Sequence, residues 1–336
     1  MKSTEPHRAR AAPQKIAVIF PGALGDFICF LPALEMLAET AGVDLFARSE
    51  FAEVAPDGVV VRSLECSEIS ELFRPQSEED SGAQRFFRGY NAVYSWLASG
   101  DPEFVLRLEL ITGGRARVFP FRPDRTAGHQ ADYYLTCLQH PPAPAALPAV
   151  MLRHEALRWC EDFWVRQSFE RQPILTIAPG SGAREKNWPA EYFLAVARWW
   201  REATGGVVLL LIGPVEKERG GIDPLRGHCI VASDLNLSQA AALLNRSDVY
   251  LGNDSGISHL AAAIGVRTVA LFGPSDDRQW APRGEKVVVM RRNLGCSPCQ
   301  DLTMRICLEH TCLGTLHPEE IIAILAQLPE IVILTR

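Results

Sequence analysis

The sequence predicts an α/β fold with two doubly wound, Rossmann-like domains that face each other across a central cleft. Short apolar strands alternate with helices, a pattern typical of parallel sheets covered on both sides. Glycine-bearing turns follow a strand at Pro21–Asp26, Pro179–Gly182 and Gly252–Gly256. Ligands bind outside the carboxyl ends of strands in such sheets, so we expect the three turns to converge on the cleft. The backbone N–H groups at the helix starts suit a phosphate.

The domain boundary is predicted from length and proline content. A chain of 336 residues is long for one domain and sufficient for two. Four prolines between His140 and Pro148 exclude a helix or a central strand, and so predict a linker. We therefore expect a disordered tail over 1–13, an N-terminal domain over 14–150, a connecting helix over 151–170 and a C-terminal domain over 171–336. The last helix either stays with the C-terminal domain or packs back on the N-terminal domain.

The individual elements follow from β-branched runs and from helical spacing of apolar residues. In the N-terminal half the predicted strands are 16–20, 59–61 and 92–96, and the predicted helices are 26–39 and 132–138. In the C-terminal half the predicted strands are 174–178, 207–212, 248–251 and 268–272. The predicted helices there are 155–168, 189–202, 238–245, 257–264 and 318–328.

Composition limits the function classes. The apolar fraction of 47% is ordinary for a globular protein, and the net charge of −6 argues against nucleic-acid binding. The first residues contain no apolar core of a signal peptide, so we expect a cytoplasmic protein. The first strand is not followed by a complete Gly-x-Gly-x-x-Gly, and the chain contains no Walker loop, which disfavours a dehydrogenase and an NTPase. No cofactor is expected.

Nine cysteines are many for a cytosolic protein. Four of them cluster at Cys296, Cys299, Cys307 and Cys312. Four neighbouring thiolates suit zinc or iron, but the second pair lacks the usual two-residue spacing. Reduced cysteines in a compact loop are the favoured alternative, and no metal is assigned.

Two charged residues at the turns are candidates for chemistry. Asp26 lies where the first helix begins, so it suits both a helix cap and a general base that accepts a proton from a substrate hydroxyl. Lys186 lies in a strand-to-helix loop, where it either neutralises a diphosphate or remains a solvated loop lysine.

The remaining candidates surround the predicted phosphate position. Ser255 and Gly256 would present backbone donors, and Asp254 is expected to turn aside toward turn N–H groups or a sugar hydroxyl. His259 either faces the cleft or is a core or capping histidine, and Glu216 either binds a ribose hydroxyl or is an exposed loop residue. Ser181 and Gly182 complete this donor-side set.

These motifs resemble glycosyltransferase family 9, the ADP-heptose:lipopolysaccharide heptosyltransferases. The resembling stretches are Phe20–Asp26 with Pro32–Leu34, Pro179–Gly182 through Lys186–Pro189, Gly252–Ala263, Leu271–Asp276 and Cys296–Cys299. The match is dense in the C-terminal half and is confined in the N-terminal half mostly to the first strand and helix.

The resemblance implies a GT-B architecture and an inverting, metal-independent transfer from a nucleotide sugar. It places the acceptor on the N-terminal domain and the donor on the C-terminal domain. Asp26 matches the general base, Lys186 the phosphate-binding lysine and Asp254–Gly256 part of the nucleotide site. Gly25, Arg115 and Arg122 are candidates for acceptor contacts, although a solvated arginine surface explains the arginines equally well.

The expected partners are an ADP-heptose-like donor and a glycan or lipid-linked acceptor, with peripheral contact at the inner membrane face. Two other functions remain open. A GT-B-like sugar-nucleotide epimerase would use the donor without an acceptor, and a non-catalytic member would bind the donor without turnover.

Overall fold

The structure of the chain is a computed structural model that describes residues 14–74, 82–123, 128–140, 147–169 and 172–328. The tail predicted over 1–13 and residues 141–146 of the predicted linker lie outside the described residues. The described chain forms two compact units, each built on its own parallel sheet. The prediction of two parallel α/β domains is confirmed.

The first unit contains a five-stranded sheet in the order β3-β2-β1-β4-β5. All neighbouring strands pair in parallel. The order reverses at β1, which lies between β2 and β4 and forms the switch point where such sheets bind ligands. The strands are β1 Lys15–Ile19, β2 Gly42–Ala47, β3 Val59–Ser63, β4 Ala92–Ser95 and β5 Ala116–Val118. The helices are α1 Leu24–Thr40, α2 Ser67–Ser70, α3 Gly82–Phe87 and α4 Pro102–Thr112. The first part of α1 belongs to the second unit.

Two strands of this sheet, β2 and β5, were not among the predicted elements. β2 carries Asp44, a charged residue that disfavours a buried strand in sequence reasoning. The carboxylate of Asp44 is nevertheless buried, because it accepts hydrogen bonds from Tyr90 Oη at 2.6 Å and Arg62 Nε at 2.8 Å and pairs with Lys15 at 2.9 Å. These partners lower the pKa of Asp44 although burial opposes them. β5 has only three residues, too few for a visible pattern.

The second unit contains a six-stranded sheet in the order β11-β10-β9-β6-β7-β8, again all parallel. Its strands are β6 Ile174–Ala178, β7 Val207–Ile212, β8 Ile230–Ser233, β9 Val249–Asn253, β10 Arg267–Phe272 and β11 Val287–Arg291. Its helices are α5 Gln130–Cys137, α6 His154–Arg166, α7 Ala190–Thr204, α8 Pro214–Arg219, α9 Asp223–Arg226, α10 Leu237–Asn245, α11 Gly256–Ile264, α12 Asp277–Trp280, α13 Asp301–Ile306, α14 Thr311–Gly314 and α15 Pro318–Ala326.

The core of the second unit lies between the sheet and its helices. Leu210 and Leu251 of the strands pack with Phe193 and Trp200 of α7. Ile321 and Leu325 belong to the same core, so α15 packs within this unit. The prediction of four strands is confirmed at β6, β7, β9 and β10. They were predictable because continuous apolar runs are typical of buried parallel strands.

The two units interleave along the chain, in contrast to a single boundary near residue 150. Gly22–Ala33, Glu50–Ala55 and the described residues from Pro123 onward form the second unit. Phe27 stacks on Phe51 with ring centroids 4.3 Å apart, and Phe30 contacts Tyr134 at 5.2 Å. The first part of α1 therefore belongs to the core of the second unit.

Within the described residues, none of the helices combines the length and the apolar character needed to cross a bilayer.

Candidate functional site

The switch point of the second sheet lies at β6, between β9 and β7. Asn253, at the end of β9, holds the neighbouring turns together. Its Nδ2 donates to the Pro179 carbonyl at 2.6 Å, and its Oδ1 accepts from the Trp188 N–H at 3.0 Å. Sequence reasoning did not assign a role to Asn253, although it lies inside the Gly252–Gly256 motif. The Asn253 side chain therefore joins the loops that follow β6 and β9 at the carboxyl edge of the sheet.

The turn after β6 is ordered by Ser181. Its buried hydroxyl lies 2.6 Å from the Ala183 carbonyl and 2.7 Å from Asn187 Oδ1. Gly182 is exposed, and its carbonyl accepts a hydrogen bond from Arg219 at 3.3 Å. The structure thus places Ser181 as the residue that shapes the loop, while the Gly182 backbone faces solvent.

Lys186 ends a short 3-10 turn, Arg184–Lys186, and forms an ion pair with Asp254. The Nζ–Oδ2 distance is 2.7 Å, with the lysine side chain 28% exposed and the aspartate 9% exposed. Asp254 turns aside, and its carboxylate accepts a hydrogen bond from the Lys186 ammonium group. Its expected contact with turn N–H groups or a sugar hydroxyl stays a prediction. A bound diphosphate would compete with Asp254 for the lysine.

Glu216 lies against the same turn in a half-buried position. Its Oε2 accepts from the Gly213 N–H at 2.7 Å, and a Cβ at Gly180 would lie 1.4 Å from its Oε1. Glycine is therefore required at position 180 for this close approach. Glu216 lines a cavity of about 320 Å³ together with Gly180, Arg184, Asn187, Trp188 and Arg219. Cavities of a few hundred Å³ are in the range of small-molecule sites.

The start of α11 meets the start of α1 in this unit. A Cβ at Gly256 would lie 2.7 Å from Leu24 Cβ and 3.0 Å from Gly25 N, and a Cβ at Gly25 would lie 3.2 Å from His259 Cδ2. Only glycine allows so close a contact. The first N–H groups of both helices have no acceptor inside their own helix, and the positive ends of the two helix dipoles lie at one place.

Asp26 occupies the third position of α1 and is 7% exposed. Its Oδ2 accepts from the Ala23 N–H at 3.0 Å. The residue is therefore not the cap itself; its side chain reaches back to the residue before the helix, as the acidic member of a capping box does.

His259 is buried in the second turn region of α11, with 4% exposure. Its Nδ1 lies 3.6 Å from Cys29 Sγ, and it also hydrogen bonds to the Trp280 backbone. Burial lowers the pKa of His259 to about 4, against the attraction of Asp254. Burial, together with the charge of Asp26, raises the pKa of the Cys29 thiol. Both groups are thus neutral near pH 7, which supports the core-histidine interpretation.

A second set of contacts holds α5 in the same unit and was not predicted. Arg283 forms two hydrogen bonds to the Asp132 carboxylate, at 2.7 and 2.6 Å. His129 Nε2 lies 2.9 Å from the Ala281 carbonyl. The guanidinium lowers the pKa of Asp132. Since Tyr134 of α5 packs on Phe30, these contacts support the part of α1 that carries Asp26.

The candidate acceptor arginines lie at opposite edges of the first sheet. Arg115 precedes β5 at the amino edge, where its Nε donates to the Tyr90 carbonyl at 3.1 Å. Arg122 follows β5 at the carboxyl edge, with its guanidinium 5.7 Å from the Phe121 ring centroid. Parallel α/β sheets bind ligands at the carboxyl edge, where Arg122 lies. The acceptor roles of Gly25, Arg115 and Arg122 stay predictions.

The four clustered cysteines, Cys296, Cys299, Cys307 and Cys312, all border a cavity of about 70 Å³. Cys296 is exposed and Cys312 is buried. Across the described ranges, no group of three or more His, Cys, Asp and Glu side chains is arranged to hold a metal ion. The thiols therefore carry no metal assignment here.

The C-terminal half of the chain is similar in sequence to known proteins. Residues 152–308 match the model of glycosyltransferase family 9 (heptosyltransferase). The chain is 29% identical over 160 residues to lipooligosaccharide heptosyltransferase 2 of Campylobacter jejuni, a match covering 44% of this chain and 49% of the relative. The chain thus spans about half the length of the curated relatives it matches.

Solved structures are similar over nearly the whole chain. A family 9 glycosyltransferase from Veillonella parvula superposes with a TM-score of 0.70 at 21% identity, covering 92% of this chain and 95% of the other. The E. coli ADP-heptose lps heptosyltransferase II gives 0.67 at 19% identity, covering 93% and 98%. These likenesses show that the fold is the GT-B type of such enzymes. The chain is thus similar to these proteins in fold, and its residues 152–308 are similar to glycosyltransferase family 9 (heptosyltransferase) in sequence.

Proposed function

We propose that the protein is an inverting, metal-independent glycosyltransferase that moves a sugar, heptose from ADP-heptose, onto a lipopolysaccharide core or related glycan. The first unit would hold the acceptor and the second the donor. The observation that carries the proposal is the close approach of α1 and α11, with a Gly256 Cβ position only 2.7 Å from Leu24 Cβ. It brings the start of α1, the helix that carries Asp26, to the start of α11 at Gly256, within one unit that also holds the Lys186–Asp254 pair.

The proposed step moves one proton and one glycosyl group. The acceptor hydroxyl gives its proton to Asp26 as its oxygen attacks the anomeric carbon from the face opposite the leaving group. The bond from that carbon to the diphosphate oxygen breaks, and its electron pair leaves with the nucleoside diphosphate. Attack from the opposite face inverts the anomeric configuration.

Positive groups are proposed to stabilise the leaving diphosphate. The Lys186 side chain is 28% exposed, so a phosphate can reach its ammonium group and would compete with Asp254 for it. The α11 N–H groups add a preorganised dipole. The cavity beside Glu216 and Arg184 is the proposed nucleoside position, with Glu216 directed to a ribose hydroxyl. The E. coli relative's ADP-heptose name supports an adenine donor. We place the reaction in the cytoplasm, at the inner membrane face when the acceptor is lipid-linked.

The proposal is tested by thermal stabilisation with ADP-, UDP- and GDP-sugars, followed by transfer assays. An ADP-sugar is expected to raise the melting temperature by mass action, and transfer to a soluble core-glycan fragment should give an inverted product. An altered sugar formed without acceptor would indicate an epimerase. Binding without turnover against every acceptor would indicate a non-catalytic protein, and either result overturns the proposal.

Lys186→Met provides the matched probe of the diphosphate site. We expect donor affinity to fall by at least about tenfold, since a charged partner of the phosphates is lost. The double variant Lys186→Met/Asp254→Asn should recover folding stability, because no carboxylate is then left buried without its cation, but it should not recover donor binding. Recovery of donor affinity in the double variant would remove Lys186 from the phosphate site.

A further inference from the structure

Cys29 is a buried group of α1 that the proposed reaction does not use. It follows Asp26 by three residues, so the two side chains are neighbours on one side of the helix. Its Sγ lies 3.6 Å from His259 Nδ1 of α11, a distance that suits a hydrogen bond with sulfur. Cys29 is 1% exposed and His259 is 4% exposed, so the contact is shielded from solvent.

The direction of this hydrogen bond follows from the other side of the imidazole ring. His259 also hydrogen bonds to the Trp280 backbone, and this bond raises the pKa of His259, so the ring donates and the Trp280 carbonyl accepts. Because Nδ1 faces Cys29, Nε2 is the nitrogen that donates to Trp280. A neutral imidazole has one donor and one acceptor nitrogen. Nδ1 is therefore the acceptor, and the Cys29 thiol donates to it.

The His259 ring lies against the turn that leads to Asp26. A Cβ at Gly25 would lie 3.2 Å from His259 Cδ2 and 3.5 Å from Nε2. The start of α11 touches the same place, since a Cβ at Gly256 would lie 3.0 Å from Gly25 N. Close-packed interiors transmit small displacements. A tilt of the imidazole ring would therefore move the first turn of α1.

We infer that Cys29 is a positioning residue for Asp26 and that it acts through His259. The thiol holds Nδ1, the Trp280 carbonyl holds Nε2, and the ring, fixed at both nitrogens, supports the helix start that carries Asp26. A catalytic group displaced by about 1 Å can cost about 10²-fold in rate, so such support affects turnover. The inference rests on the proposed function, because Asp26 is the proposed base.

The test compares Cys29→Ala with Cys29→Ser in the full chain. Alanine removes the donor to Nδ1, whereas serine keeps a hydroxyl that can donate. We expect kcat of Cys29→Ala to fall about 10- to 100-fold while the KM for the donor changes less than about twofold. The KM is preserved because Lys186 and the cavity beside Glu216 belong to other elements. Cys29→Ser should recover most of the lost turnover.

NMR of the chain labelled with ¹⁵N-histidine separates positioning from packing. His259 should show a protonated Nε2 and an unprotonated, hydrogen-bonded Nδ1, and loss of these signals in His259→Gln assigns them. Cys29→Ala should move the Nδ1 resonance toward that of a free acceptor, and Cys29→Ser should move it back. A protonated Nδ1 in the unchanged chain, or an Nδ1 resonance that does not move in Cys29→Ala, would overturn the inference.

Cys160→Ala is the matched control. Cys160 is also buried in the second unit, at 5% exposure, and its Sγ donates to the Ala242 carbonyl at 3.5 Å. This variant should leave kcat and the His259 resonances unchanged. An equal fall of kcat in Cys29→Ala and Cys160→Ala would assign the effect to lost packing and overturn the inference. Absence of transfer by the unchanged chain would count against the proposed function, whereas the Nδ1 resonance is measured without turnover.

Discussion

Sequence position alone leaves two roles open for Asp26, a helix cap and the proposed general base. Its carboxylate accepts the Ala23 N–H at 3.0 Å, so it stabilises the start of α1, where Leu24 and Gly25 lie against Gly256 of α11. In Asp26→Asn the amide oxygen keeps that hydrogen bond, but the side chain no longer accepts a proton. We expect kcat to fall about 10²- to 10⁴-fold while the donor-induced rise in melting temperature stays unchanged. Turnover near that of the unchanged enzyme would exclude Asp26 as the base.

His259 predicts a dependence of stability on pH. Its pKa is about 4 in the folded protein, against an ordinary value of 6.5. Below pH 6.5 the unfolded chain binds a proton that the folded chain rejects, so stability is complete above pH 6.5 and declines as pH falls toward 4. The loss amounts to about 3 kcal/mol. Urea unfolding between pH 7.5 and 4 measures it.

The control for this titration is His259→Gln, an uncharged side chain of similar reach. The variant should show a shallower decline over the same interval. Some decline remains, because burial also lowers the pKa of His129. An unchanged slope in His259→Gln would show that another group causes the pH dependence.

At the scale of elements, the junction of α1 and α11 depends on two glycines. In Gly256→Ala the added methyl would overlap Leu24 Cβ at 2.7 Å and backbone N of Gly25 at 3.0 Å, so one helix has to shift. We expect a loss of about 1–3 kcal/mol in the free energy of unfolding. The turnover number should fall more than donor affinity does, because Asp26 is displaced while the cavity beside Glu216 is untouched.

Gly227→Ala is the control for this prediction, since no heavy atom lies within 4 Å of its Cβ position. Thermal unfolding and steady-state kinetics of both variants decide the matter. If Gly256→Ala resembles Gly227→Ala in both measurements, the helix starts are not in tight contact.

The spacing of apolar residues along the chain was sufficient to predict many of the helices and strands, but not all of them. The continuous apolar runs of β6 and β7 and the proline before α7 were visible in the sequence. β2 was hidden because the partners that neutralise Asp44 come from β1, β3 and the segment before β4. The contacts that neutralise Asp44 form only in the tertiary structure, so the periodicity of the sequence does not show them. The same holds for the candidate site. Its glycine turns were predicted from local sequence, but the Lys186–Asp254 ion pair was not, because it joins residues 68 positions apart.

For the whole molecule, the interleaved units predict that the C-terminal half does not fold well alone. A protein of residues 123–336 lacks Phe27, Ile28, Phe30, Leu31 and Phe51, each at most 1% exposed in the full chain. Their lost burial amounts to about 10 kcal/mol, comparable to the whole stability of a domain. We expect the fragment to bind a hydrophobic dye and to lack a cooperative melting transition. Cooperative melting within a few degrees of the full chain would contradict this.

The same interleaving delays the folding of α1 during synthesis. Cys29 and His259, which are in contact in the folded protein, are separated by 230 positions in the chain. A ribosome that adds about 5–20 residues per second therefore synthesises His259 roughly 10–50 s after Cys29 of α1. Phe51 and Tyr134 are synthesised earlier, but until His259 has been added, the part of residues 22–33 that packs against α11 lacks its partner. Nascent chains of this protein should therefore need a chaperone early, and slowing translation should lower the yield of folded enzyme rather than raise it.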